Sequence, residues 1–180
     1  MNQPPLLQPP TIQVEFFVAG IPKPGGSKKF VGTIKHGPRA GRAILVDASG
    51  EKGVAWRENV KAVAVLNWRR PPVQFEPIEL SVDFVMPRPK SHYRSNGALK
   101  PTAPYWHTNK PDRTKLLRSL EDSLTAIVWA DDTQVVTGLV RKFYGDTPGA
   151  RVRVRVGPER GVAFVEHDAE LDGLKRGGVD

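Results

Sequence analysis

Three aspartates at the two ends of one short helical pattern carry the most chemistry in this sequence. The stretch KPDRTKLLRSLEDSLTAIVWADDTQVV, Lys110 to Val136, sets Asp112 behind a proline where the pattern begins and the adjacent pair Asp131 and Asp132 where it has ended. Carboxylates this close repel one another unless something positive sits between them, either a Lys or Arg or a metal ion. Each acid also has an ordinary structural reading. Asp112 suits a helix N-cap, worth about 1 kcal/mol, although Lys115 in place of Glu or Gln rules out a capping box. Asp131 and Asp132 suit a turn between helix and strand. Taken together they point elsewhere: if the chain after the helix returns beside the helix start, the acidic groups converge. Magnesium takes one or two such carboxylates together with waters and substrate phosphate, and a basic protein uses such an ion against a phosphodiester.

The bulk composition agrees with that target. The 180 residues carry a formal net charge of +8 and a pI near 9.9, which favours a polyanionic partner, nucleic acid before an acidic membrane surface. There is no cysteine, so disulfides, thiolate metal sites and cysteine nucleophiles are excluded. The four histidines, His36, His92, His107 and His167, show no HExxH spacing, and GIPKPGGSKK lacks the spacing of a Walker phosphate loop. The start, MNQPPLLQPP, has neither the basic residues nor the apolar run of a secretory signal. Nor does any segment approach the ~18 apolar residues of a membrane span, so a soluble, unprocessed cytoplasmic protein is expected.

The elements that must position the acids follow from periodicity. A proline-rich arm (1–10) precedes a strand in which Ile12, Val14, Phe16 and Val18 share a face. A basic loop with Lys23, Lys28, Lys29, Lys35, Arg39 and Arg42 can hold a short hairpin around HGPRAG; it reads equally as a solvated loop or a phosphate-contacting one. Trp56, Val60, Val63 and Leu66 or Asn67 mark a first helix over 51–68, stopped by RRPP. Ile78, Leu80, Val82 and Phe84 mark a half-buried strand, followed by a long aperiodic loop from Arg88 to Trp106. A second helix buries Leu117, Leu120, Leu124 and Ile127, ends near Val128, and turns Lys115, Arg118 and Asp122 outward. TQVVTGLVRKFY and ARVRVRV predict two strands, the second alternating Val152, Val154 and Val156 with Arg151, Arg153 and Arg155. Those arginines suit the solvent face of an antiparallel sheet or a row of phosphate contacts, which Arg141 and Lys142 would extend. Beyond lie an edge strand and a polar tail (166–180). The expectation is an α+β fold, one domain over 11–165 with two helices on a mixed sheet.

The 110–136 stretch resembles the signature of RusA-type Holliday junction resolvases, roughly KPDxDNLxKxxxDxLxGxxxxDDxQV. A weaker likeness extends to GIPKPGGSKK, the first helix and the final strands. The resemblance implies a RusA-like fold and a homodimeric, Mg2+-dependent endonuclease, with Mn2+ as a substitute ion, that cuts four-way DNA junctions by paired symmetric nicks. Such enzymes are often encoded by phages or prophages. Position by position, Asp112 falls on the first metal-binding aspartate, Asp132 on the second residue of the acidic pair with Asp131 beside it, Arg118 on the helix lysine, and Asp122 on the next aspartate.

Two departures follow. Thr114 stands where the pattern has an aspartate, so a ligand is lost, and the expectation is either one ion in place of two or a site completed by Asp122 or Asp131. Arg118 stays protonated at working pH and stabilises charge without acting as a base. On this reading Asp112, Asp132 and Arg118 are catalytic, Asp112, Asp122, Asp131 and Asp132 bind metal, and Lys115 assists Arg118. Lys23, Lys28, Lys29, Arg88, Lys90, Lys110, Lys115, Arg151, Arg153 and Arg155 hold DNA phosphates. The competing readings are a branched-DNA binder that has lost cleavage and a nucleic-acid-binding protein of another type.

Overall fold

The computed structural model describes residues 12–26, 28–47 and 50–157. Along the chain run β1 (Ile12–Ala19), β2 (Lys28–Thr33), β3 (Ala43–Asp47), α1 (Gly50–Trp68), β4 (Ile78–Pro87), α2 (Arg113–Leu124), β5 (Val135–Thr137), β6 (Val140–Gly145) and β7 (Gly149–Val156), with short 3-10 turns at Lys90–His92 and Asp132–Gln134. The period-two apolar runs become the centre of a mixed sheet. β7 lies between β1 and β4, antiparallel to both, while β5 and β6 both run parallel to β4 on its other side.

One face of the sheet is apolar and helix-covered. Phe16, Val18, Ile78, Leu80, Val82, Phe84, Val152 and Val154 are buried there with Trp56, Val60, Ala64 and Trp68 of α1 and Leu116, Leu120 and Leu124 of α2. Full burial of each large aliphatic side chain contributes about 1.5–3 kcal/mol, so this layer holds the two helices on the sheet. The expected α+β architecture of one mixed sheet and two helices is what forms.

Several details differ from the sequence expectation. On α1 the buried stripe runs Trp56, Val60, Ala64, Trp68, a spacing of four, and Leu66 is exposed. The stripe on α2 is Leu116, Leu120 and Leu124 with Ser119 and Ser123, and Leu117 is only half-buried. Small serines were invisible to an apolar count. They admit close approach, as the loop contact described below shows. α2 also stops at Leu124, four residues early. Trp129 is fully buried, its indole Nε1–H donating to Thr125 Oγ1 at 3.2 Å, and Ala126 takes φ +65 in the resulting turn.

The run after Gln134 is two strands because Gly138 (φ +147) breaks it; a Cβ there would collide with the Leu80 carbonyl. The basic stretch before α1 folds as a hairpin, β2 paired antiparallel with β3 in a sheet of its own. The long loop after β4 is anchored, since Arg88 donates to the carbonyls of Pro104 and Tyr144 and segment 105–107 bridges onto β6. The proline-rich arm, the tail and the edge strand expected beyond Gly157 lie outside the described residues. None of the described helices is long and apolar enough to cross a membrane.

Candidate active site

α2 begins where a lysine from the sheet reaches across. Lys142 of β6 donates from Nζ to the carbonyls of Asn109 and Pro111, each at 2.7 Å, and Asn109 Nδ2 donates to the Tyr144 hydroxyl at 3.2 Å. Two neighbouring sheet residues therefore fix the turn that delivers Asp112. Burial pushes the Lys142 ammonium down from its ordinary pKa, and the Asp112 carboxylate opposes that shift. Burial, then Lys142, lowers the pKa of the neighbouring His107.

Asp112 occupies the N-cap position, and its backbone carbonyl accepts from Leu116 N at 3.1 Å. Its carboxylate makes no capping hydrogen bond. The side chain is 61% exposed, with Lys115 Nζ 3.9 Å away. The stabilising use expected of an N-cap aspartate is thus unfilled, and a hard oxygen donor faces solvent.

The segment GIPKPGG docks on the same helix. Gly25 N donates to the Lys115 carbonyl at 2.9 Å, and a Cβ on Gly25 would lie 3.1 Å from the Cα of Ser119. Gly26, at φ +76, runs against Arg118, where a Cβ would come within 3.0 Å of Cδ and 3.1 Å of Nε. Glycine is needed at 26 for both conformation and space. Arg118 therefore runs against this loop while remaining exposed, and Lys23 is half-buried in it.

The acidic pair lies on a turn bolted to the body of the protein. Ala130 N donates to the Val73 carbonyl, and Val73 N to that of Val128. Gln134 Oε1 accepts from the backbone N–H groups of Ala130 and Asp131, while its Nε2 donates to the Glu76 carbonyl. Asp131 Oδ1 accepts from Thr133 N at 2.9 Å and Thr133 Oγ1 at 2.6 Å. Those bonds, the hydroxyl's first and the backbone's second, hold the Asp131 carboxyl below its ordinary range. Asp131 thus shapes the turn, while Asp132, exposed, has no ion pair among the described residues.

Near this turn stands an acid that sequence reading passed over. Glu121 is pushed above the ordinary carboxyl range by burial, then by the charges of Asp132 and Asp122. Like charges are gathered here, the situation a bound cation relieves. The signal was in the sequence, as Glu121 directly precedes Asp122, but only the fold shows Asp132 reaching that end of α2. Gln134 and Lys142 were likewise missed as the residues that fix the two acidic turns.

Asp112, Asp122, Asp131 and Asp132 do not come together as one closed set of ligands among the described residues. Among the described residues no group of three or more acidic or histidine side chains is placed to hold a metal. Helix geometry gives the reason: Asp112 and Asp122 are ten residues apart, roughly 15 Å along the axis, and Asp131 is turned into its own loop. The donor chemistry nevertheless suits a hard divalent cation, which needs only one or two carboxylates.

The basic residues separate into two kinds. Lys28, Lys29, Lys90, Lys110 and Lys115 are exposed. Arg88 is spent on internal carbonyls. The arginines of β7 face carboxylates of neighbouring strands: Arg155 to Glu79 at 3.3 Å, Arg153 to Asp83 at 3.4 Å and Glu15 at 3.6 Å, Arg151 to Glu15 at 3.7 Å. Arg141 grips Asp83 through both oxygens at 2.6 and 2.8 Å. Their charge is largely balanced in place.

The model of the family described as Endodeoxyribonuclease RusA matches residues 35–155. A curated relative, the uncharacterized protein YqaN of Bacillus subtilis (strain 168), is 32% identical over 87 residues. That match covers 44% of this chain and 57% of YqaN, so the chain spans little more than half of its relative. The family match takes in α1, both acidic turns, α2 and nearly all of β7, and on that extent the chain belongs to the RusA endodeoxyribonuclease family.

Proposed function

We propose that this protein is a divalent-metal-dependent endodeoxyribonuclease that cuts branched DNA, four-way junctions in particular, as a homodimer. One observation carries the reading: Asp112 sits at a helix N-terminus with its carboxylate uncapped and exposed, on a turn fixed by Lys142, inside the region matched by the family. Asp112 and Asp132 would hold Mg2+ or Mn2+, with Glu121 and Asp122 beside the second. Such an ion supplies a polarised phosphate and a more acidic water.

The remaining work falls to the chain itself. Arg118, lying against Gly26, offsets charge that develops on the phosphate. Lys115 sits within one turn of Arg118 and shares that task. Lys142 keeps the Asp112 turn in place. Because no group of three or more acids closes among the described residues, we infer that a second copy related by a twofold axis completes each site. Such symmetry also matches that of a four-way junction. Exposed Lys28, Lys29, Lys90 and Lys110 hold backbone phosphates, whereas the paired arginines of β7 serve the sheet.

A labelled four-way junction incubated with the protein in Mg2+, Mn2+, Ca2+ or EDTA tests the reading. Symmetric paired nicks in Mg2+ or Mn2+, none in EDTA, support it; nicking that is indifferent to the ion, or equal on linear duplex, counts against it. Thr114 and the open acidic set favour one other reading, junction binding without cleavage, which the same assay shows as a shifted but intact junction.

A further inference from the structure

The β2–β3 hairpin is built unlike the rest of the described chain. It pairs with no other described strand, and four of its apolar side chains point into water: Phe30 is 58% exposed, Val31 52%, Ile44 40% and Leu45 53%. A lone two-stranded ribbon is marginal in water, and clustered exposed apolar side chains mark an interaction surface. Lys28, Lys29, Lys35, Arg39 and Arg42 lie along the same ribbon, against a single acid, Asp47, at the end of β3 opposite Lys28.

Its root is at the candidate site. Gly26 lies against Arg118, and Lys28, two residues on, has its Cα at most about 7–8 Å from that of Gly26. The family match begins at residue 35, so β2 precedes the matched region. The ribbon therefore starts from a segment packed on the helix that carries Arg118 and Asp112.

We propose that this hairpin is a branch-reading arm, whose apolar side chains pack on bases unstacked at the branch point while its lysines and arginines hold the flanking phosphates. The proposal rests on the branched-DNA reading above and adds what selects the branch. Charge complementarity names the occupant: the ribbon carries five basic residues, so two copies meeting face to face would repel, whereas DNA neutralises them. Intact duplex offers phosphates but keeps its base faces stacked. An opened branch offers both phosphates and apolar base faces, and stacking of a single base changes affinity about ten- to hundredfold.

The test uses the full chain with Phe30→Ser and Leu45→Ser combined, in Ca2+ at fixed salt, against a four-way junction and a duplex of matching arm sequence. The junction Kd should rise about tenfold or more, with duplex Kd and thermal midpoint unchanged. A second measurement does not depend on that variant. The chain has no cysteine, so Phe30→Cys provides a single thiol for an environment-sensitive dye, whose emission should shift with junction and not with duplex. Equal losses on both DNAs, no loss on either, or a silent dye would overturn the arm. Disruption of self-association with both affinities falling together would instead give the face to a second copy, and also overturns it. A wild-type protein that does not prefer junctions at all refutes the branched-DNA reading itself, a distinct result from preference that survives in the variant.

Discussion

The outer face of the sheet and the outward flank of α2 are made from the same residue types and arranged in opposite ways. On the sheet, Glu15, Glu79 and Asp83 stand across from Arg151, Arg153, Arg155 and Arg141, and the strand register itself sets Glu15 opposite Arg153 and Glu79 opposite Arg155. Opposite charges facing across strands stabilise the pairing. Along α2 the Asp112 carboxylate is uncapped, and Glu121 lies within the field of both Asp122 and Asp132, with like charge beside like. The first arrangement is complete without a ligand; the second leaves charge for one to satisfy. Charge alone therefore does not mark a site, and the residues that break the local balance do.

The largest expected effect separates the two regions by activity. Asp132→Asn should reduce junction cleavage by about 10³-fold or more while binding and thermal midpoint stay near those of the parent. Single-turnover cleavage and a junction titration measure both. Parity with the parent would remove Asp132 from the chemistry.

Asp83→Ala reverses the pattern. It strips the doubly gripped carboxylate from Arg141 and one of the two carboxylates facing Arg153, which keeps Glu15, and removing one partner of such a buried pair costs about 3 kcal/mol. Denaturant unfolding should show that loss, with cleavage by the folded fraction intact. A large fall in cleavage without loss of stability would place the sheet face in the site.

Glu121→Gln sharpens the comparison through pH. Because the folded protein raises the Glu121 pKa, its favourable contribution is complete below the ordinary carboxyl range and is lost as pH rises through the raised value. The variant should be slightly more stable than the parent at neutral pH, by less than about 1 kcal/mol, and its stability should change less over that window. Mg2+ should raise the parent's midpoint more than the variant's. An unchanged pH profile would show that Glu121 feels no such repulsion.

Much of this layout was legible in the sequence because it is written in apolar periodicity. β1, β4 and β7 follow their alternating residues, and α1 ends at Trp68, where RRPP stops it. The end of α2 was not, since Thr125 to Ala130 leave the helix for a tertiary reason, the burial of Trp129 and pairing with Val73. Gly138 interrupts a strand only because the Leu80 carbonyl lies against it. Asp112, Asp131 and Asp132 could be singled out by type and spacing, yet whether a carboxylate is free or capped depends on rotamer and neighbours. Asp112 holds the N-cap position without a capping bond, and Asp131 caps the 3-10 turn that follows it. The alternation of Arg151, Arg153 and Arg155 was equally plain, but their partners lie on other strands, at separations no local pattern reaches.

The role of the α2 flank is tested most directly by replacing Mg2+ with Fe2+ on the junction-bound protein and generating hydroxyl radicals, which cut the polypeptide beside the ion. Mass spectrometry should find scission near Asp112 and near Asp132, suppressed by excess Mg2+ and lost in Asp132→Asn. Scission confined to other parts of the chain, or none above background, would contradict a metal held by these acids.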